Sequence, residues 1–217
     1  MRPSEEVLRA GLADLQLDLD DARVSSLLEY MDLIGKWTKV YNLTAVRDPA
    51  EMLTHHLLDS LAAVPPLLRY LAQAGLKERV SLLDVGSGAG LPGVVIAICC
   101  PQVQVSCVDT VAKKAAFIRQ AALALKLPNL TGIHARVESL TGPFEVVCSR
   151  AFASLVDFTN WSGGALADGG VWMALKGKNP AAELDALPAS VQVFHVEQLA
   201  VPGLDAERCI VWLEKAA

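Results

Sequence analysis

The sequence predicts an α/β fold: a mostly parallel sheet with helices packed on it, preceded by a helical region. Three observations predict it. Apolar residues in the first third recur at spacings of three and four. From Val80 onward, short β-rich runs alternate with helical stretches. A glycine-rich turn joins the first of those runs to the first of those helices. The 217 residues are 53% hydrophobic and 20% charged, which suits one substantial core and excludes a disordered chain.

The elements follow in order. Val7, Leu8, Leu12 and Leu15 form one helical stripe, and Val24, Leu27, Leu28, Met31 and Ile34 form a second. A third helix carries its own start signal, with Asp48 as cap, Pro49 at the first helical position and Glu51 three residues after the cap. Leu53, Leu57, Leu61 and Val64 give it an apolar face, and Pro65-Pro66 is expected to end or kink it. Val80–Val85 is the first strand, and Pro92 to Cys99 the helix after the glycine turn. Val103–Val108 is the second strand, and Val111 to Leu125 is an amphipathic helix. A third strand is expected before Val137. Phe144–Cys148, Val171–Leu175, Val191–Val196 and Cys209–Leu213 would complete the sheet. The boundary falls between Pro65 and Arg79, so the expected division is a helical region over 1–72 and a sheet domain over 73–217.

A net charge of −5 excludes a protein coated in positive charge, but a local basic face can act within an acidic whole. The five cysteines form no C-x-x-C pair, and they read as buried free thiols in a reducing cytoplasm. The opening Met1-Arg2-Pro3-Ser4-Glu5-Glu6 carries acids and no apolar core of a signal peptide. Val94 to Cys100, the most apolar stretch, is far too short to span a bilayer. A cytoplasmic protein without a membrane partner is expected.

The central motif is Asp84-Val85-Gly86-Ser87-Gly88-Ala89-Gly90-Leu91-Pro92-Gly93. Such a turn lets backbone approach a ligand closely at the carboxyl edge of a sheet, the arrangement of a Rossmann-like domain. Two cofactors fit it. Gly88-x-Gly90-x-x-Gly93 satisfies the dinucleotide fingerprint, and Asp109 stands where a ribose-binding acid is expected. Three details favour S-adenosylmethionine: Asp84 puts a carboxylate beside the loop, suiting a cationic ligand better than a pyrophosphate; the loop comes after a helical cap; and no His–Asp pair for hydride chemistry follows it. Asp109 would hold the ribose hydroxyls, and it also suits a helix cap before Val111. Val137-Glu138 would flank the adenine, although Glu138 alone equally suits a solvated acid.

Four further blocks, together with the glycine loop, carry a resemblance. Trp37 to Pro49, with its Tyr41-Asn42-Leu43-Thr44 core, His56 to Ser60, the glycine loop, Ser149 to Leu155 and Ala174 to Gly177 resemble the glucose-inhibited division protein B family. These are 16S ribosomal RNA guanine-N7 methyltransferases, and the likeness runs from about Leu12 to Leu213. It implies a class I S-adenosylmethionine-dependent methyltransferase fold of seven strands behind an N-terminal helical region. It implies transfer to N7 of one guanine of 16S rRNA, bare or within the small ribosomal subunit. On the matching positions, Gly86, Leu91, Val137, Glu138 and Arg150 resemble cofactor-site residues, joined by Gly88, Gly90 and Asp109 from the loop reading. Asn42, His56, Asp59, Lys176 and Arg208 match motif positions around the site.

The chemistry asks little of such a site. A D/N-P-P-Y run for amine acceptors is missing after the fourth strand, where Cys148-Ser149-Arg150-Ala151-Phe152 stands. Cys148 reads as a core thiol rather than a nucleophile. Guanine N7 offers an in-plane lone pair with no proton to remove, so no base is assigned; Asn42, Arg150 and Lys176 are the candidates for assisting transfer. Lys113, Lys114, Arg136, Lys176 and Arg208 are expected on the RNA side, within a wider set that includes Lys36, Lys39 and Arg47. Phe152 suits base stacking or core packing equally. His55 and His56 diverge by about 100° on a helix and cannot share a metal, and none is expected. His56 is expected to pair locally with Asp59 or Ser60. The oligomeric state is expected to be monomeric. The competing readings are a nicotinamide-dependent oxidoreductase and a non-catalytic ribosome-binding module.

Overall fold

The computed structural model describes residues 3–76 and 79–216. Met1 and Arg2 of the leader reading, and Lys77 and Glu78 within the boundary interval, lie outside the described residues. Among the described residues, seven strands form one sheet: β1 (Val80–Val85), β2 (Val103–Asp109), β3 (Leu130–His134), β4 (Phe144–Arg150), β5 (Leu166–Lys176), β6 (Val191–Leu199) and β7 (Arg208–Lys215). Their order is β3-β2-β1-β4-β5-β7-β6. β1 to β5 run parallel, and β7 is antiparallel to both β5 and β6.

This order locates the site. The chain builds outward from β1 to β3, then returns across β1 to start β4. A crevice therefore opens outside the carboxyl ends of β1 and β4, at the switch point. Because β7 is antiparallel, its first residue rather than its last stands at that edge. Register shows it: Lys176, ending β5, pairs with Cys209, next to Arg208.

Before the sheet come α1 (Pro3–Asp14), α2 (Asp21–Tyr41), α3 (Pro49–Met52), a π-helical segment (Leu53–Leu58), α4 (Asp59–Leu61) and α5 (Val64–Gln73). Asp48 caps α3 as its sequence predicts, accepting bonds from Ala50 and Glu51 N–H groups at 2.9 and 3.0 Å. The helix is interrupted at the proline pair as expected: it stops at Leu61, Ala62 and Ala63 turn, and Pro65 and Pro66 lie in the first turn of α5, where a missing N–H costs nothing. Leu8, Leu12, Val24, Leu27 and Ile34 share one continuous apolar cluster with Val94, Ile96, Phe117 and Ile118. The helical region thus packs chiefly on the helices that follow β1 and β2. α6 (Gly93–Cys99) and α7 (Ala112–Ala124) occupy the predicted positions. Two helices have no strong periodicity in the sequence and were not expected: α8 (Leu155–Ser162) and α9 (Ala181–Asp185), the latter burying no residue. No helix among the described residues is long and apolar enough to cross a membrane.

Candidate methyl-donor and RNA site

The glycine loop is fastened from behind. Gly86 and Ser87 donate to the Val108 carbonyl at 2.9 and 3.2 Å, tying the loop to the end of β2. Gly86 has φ +65°, and a Cβ there would collide with the Phe152 ring, so only glycine permits this approach. Tyr30, fully buried on α2, donates its hydroxyl to the Ala89 carbonyl at 2.6 Å, with the Gly90 carbonyl at 3.1 Å. A residue of the helical region thereby holds the loop at its far end.

Asp84 corrects one step of the sequence reading. Its carboxylate does not face the crevice but lies buried beneath the loop, accepting the Gly93 N–H at 2.8 Å. Burial pushes its pKa up to about 7 despite that bond. The direct attraction for a cationic ligand inferred from its position is therefore absent. Its effect on ligand choice is different. Pro92 has no N–H, Gly93 gives its N–H to Asp84, and Val94 gives its own to Gly90. At the start of α6, Pro92, Gly93 and Val94 therefore leave no N–H free for a pyrophosphate, which weakens the dinucleotide reading.

Two cavities open at the carboxyl edge, sharing Gly86 and Ala151 as a common wall. Ala151 has φ +52°, an uncommon conformation for a residue with a Cβ, and it places Arg150 and Phe152 on opposite sides of the wall. The cavity above β2, about 380 Å³, is lined by Asp109, Lys114, Arg136, Val137, Glu138, Phe152 and Trp161. Asp109 is buried and accepts the Gly88 N–H at 3.0 Å through one oxygen and the Val111 N–H at 2.9 Å through the other. The expected helix cap is not formed, because Val111 is the cap residue of α7 and no side chain caps that helix; for the ribose role, each Asp109 oxygen retains a second lone pair. Glu138 is tied to Arg136 at 2.9 Å, which holds its carboxyl below the usual range. Phe152 packs edge-on against Phe158 and Trp161 and so forms a wall of this cavity.

The other cavity, about 440 Å³, lies between the glycine loop and the helical region. Gly88 and Leu91 line it, with Thr44, His56, Asp59, Arg150, Lys176 and Arg208. Here the sequence reading missed the main polar feature. Asp59, only 5% exposed, accepts Arg150 Nη1 at 2.7 Å and Arg208 Nε at 2.7 Å. Arg150 also donates to the His55 carbonyl at 3.0 Å. One carboxylate thus joins the helical region to the ends of β4 and β7. His56 does not pair with Asp59 or Ser60 as expected; its Nε2 meets the Thr44 hydroxyl at 2.7 Å. Burial, helped by Arg150, lowers its pKa and so favours the neutral ring. Lys176 is held by Glu183 at 2.8 Å and the Ala153 carbonyl at 2.9 Å. The α9 carboxylate also caps α8 through the Leu155 N–H, which gives that short helix its purpose.

Three expected residues stand outside the cavities. Gly90 faces the interior beside Ile118. Lys113 is exposed on α7. Asn42 is the left-handed cap of α2, with its side-chain oxygen taken by Arg47 at 2.9 Å. Cys148 lies in the core, where burial drives its thiol pKa well above the ordinary range, as a structural cysteine requires.

The strand order, the reversed seventh strand and the loop at the switch point define a class I methyltransferase fold. Solved structures share it: a SAM-dependent methyltransferase from Aquifex aeolicus aligns with a TM-score of 0.56, at 16% identity, over 78% of this chain and 99% of that one. TrmN from Thermus thermophilus gives the same TM-score at 20% identity, covering 76% of this chain and 53% of its own. Within that class, the sequence matches GidB, rRNA small subunit methyltransferase G, over residues 23–211, and the chain belongs to this family. A ribosomal RNA small subunit methyltransferase G from a Polaromonas species is 75% identical over 98% of this chain and 94% of its own length. The relative of that name from Polaromonas naphthalenivorans is 73% identical over 95% and 93%.

Proposed function

We propose that this protein moves the methyl group of S-adenosylmethionine to N7 of a guanine in 16S rRNA, acting in the cytoplasm as a monomer. The observation that carries the cofactor reading is the pair of cavities meeting at Gly86 and Ala151, beside a helix start whose Gly93 and Val94 N–H groups are already taken. The residues present fit the group. Asp109 has spare lone pairs for ribose hydroxyls, and Val137, Glu138, Phe152 and Trp161 enclose a slot for the adenine. Gly86, Gly88 and Leu91 line the path of the methionyl end toward Arg150.

S-adenosylmethionine supplies an already activated methyl group. The chain's task is to align the acceptor and exclude water, which contributes roughly 7–11 kcal/mol to such reactions. Arg150, Lys176 and Arg208 hold the RNA strand so that the guanine enters the larger cavity, with Lys114 and Arg136 along the smaller one and Lys113 on the flank. Two groups of the larger cavity that could take a proton are already engaged: His56 Nε2 meets the Thr44 hydroxyl, and Asp59 is held between two arginines. N7 requires none, since its lone pair carries no proton. Asn42 acts through Arg47 and the chain turn before Leu43 rather than on the guanine.

Mass spectrometry of 16S rRNA from cells with and without the gene tests the reading, and the N7-methyl guanine should disappear with the gene and return with its expression. Replacing the target with 7-deazaguanine should abolish transfer while RNA binding survives. Methylation of that substrate would reject N7.

A further inference from the structure

Outside the two cavities, the last two turns of α2 carry an unusual surface. Val40 is 69% exposed and Tyr41 42%, two of the few large apolar side chains open to solvent. Lys36 and Lys39 beside them are exposed and pair with no carboxylate among the described residues. At about 100° per residue, Lys39, Lys36, Val40, Trp37 and Tyr41 follow one another around a single arc of the helix.

Tyr41 is also held in place. Its ring centroid lies 5.0 Å from that of Trp37 at a 38° tilt, and Trp37 meets the buried Phe117 edge-on at 5.4 Å. Phe117 in turn stacks at 6.4 Å on Tyr30, whose hydroxyl holds the glycine loop. The exposed ring is the outer end of an aromatic column rooted in the core. An immobilised aromatic face loses little entropy when a ligand stacks on it. It is also next to the site: Leu43 and Thr44, two and three residues after Tyr41, line the larger cavity.

We propose that Tyr41, backed by Trp37 and flanked by Lys36 and Lys39, is a stacking platform for an unpaired rRNA base neighbouring the target guanine. A planar base matches the ring, and the lysines match the phosphates on either side of it. This rests on the rRNA reading above and adds to it a contact outside the cavities.

The test measures binding of protein-free 16S rRNA, isolated from cells lacking the gene, to wild type and three variants. In parallel, calorimetry measures S-adenosylhomocysteine binding to each. Tyr41→Ala should weaken RNA binding by roughly five- to 150-fold, the span of one lost base stack. Tyr41→Phe, which keeps the face and loses only the hydroxyl, should stay within about twofold of wild type, as should Leu123→Ala, an exposed apolar control on α7. S-adenosylhomocysteine affinity should be unchanged throughout. Unaltered RNA binding by Tyr41→Ala overturns the platform, as does an equal loss in Tyr41→Phe, which would make the hydroxyl the contact. A joint loss of cofactor binding in Tyr41→Ala would also overturn it, as disruption of the fold. Wild type binding neither this RNA nor small ribosomal subunits from the same cells would defeat the rRNA reading itself.

Discussion

Removing the Asp59 carboxylate should be the most damaging single change in the larger cavity. In Asp59→Ala, two charge-assisted bonds of 2.7 Å vanish, and the Arg150 and Arg208 guanidinium groups are left facing each other. Such bonds contribute about 1.5–3 kcal/mol each, and stripping one partner from a buried ion pair costs about 3–5 kcal/mol. The arginine side chains are 19% and 26% exposed, so water recovers part of the loss, and about 3 kcal/mol is the working figure. For a chain of this length each kcal/mol lowers Tm by about 2–4 °C, giving a fall of about 6–12 °C by scanning calorimetry. Arg208→Ala leaves Asp59 its bond to Arg150 and should cost less than half as much. The Asp59→Ala, Arg208→Ala double variant should then be no less stable than Asp59→Ala, because the repulsion is gone. A fall of under about 2 °C in Asp59→Ala, or simple additivity in the double variant, would refute the view of this carboxylate as a shared counterion.

Three further outcomes are expected. Tyr30→Phe leaves the Ala89 and Gly90 carbonyls without their buried donor and should lower stability by about 1–3 kcal/mol, read by urea unfolding; an unchanged midpoint would mean the loop needs no such anchor. Asp84 binds its proton more tightly folded than unfolded, so its contribution is full below the ordinary value of 3.8 and is lost as pH rises through about 7. Asp84→Asn should therefore gain on wild type across that window, and parallel stability profiles from pH 4 to 8 would contradict the burial effect. Asp109→Ala should weaken S-adenosylhomocysteine binding by roughly tenfold to a hundredfold, and calorimetry finding wild-type affinity would remove this carboxylate from the ribose.

Local patterns made much of this legible. The strand–glycine–helix sequence from Val80 to Cys99 places the site because its spacing is set by one continuous piece of chain. Asp48, Pro49 and the apolar stripes are readable for the same reason. Pro65-Pro66 marked the break but not the new helix beginning there, since a proline pair suits the first turn of a helix as well as its end. The Asp59 clamp was hidden because its partners lie 91 and 149 residues away, and no local period encodes such a pairing. Tyr30 is not part of the apolar stripe the sequence shows on α2; only its burial against the loop reveals what its hydroxyl does. Asp84 was legible as an acid at the loop, but not its direction, since a strand residue beside a turn can face either the crevice or the core.

The thin wall at Gly86 and Ala151 also sets the terms for inhibitor chemistry. A compound confined to the slot by Asp109 meets a small polar chamber, and one confined to the other side meets a cationic vestibule around Arg150 and Arg208. Neither fragment alone reads both. A linked molecule would have to carry a slender, backbone-hugging bridge over the bare Cα of Gly86, with a flat uncharged ring at one end and an anionic group at the other. The affinity of the tether would then report how far apart the two chambers hold their guests.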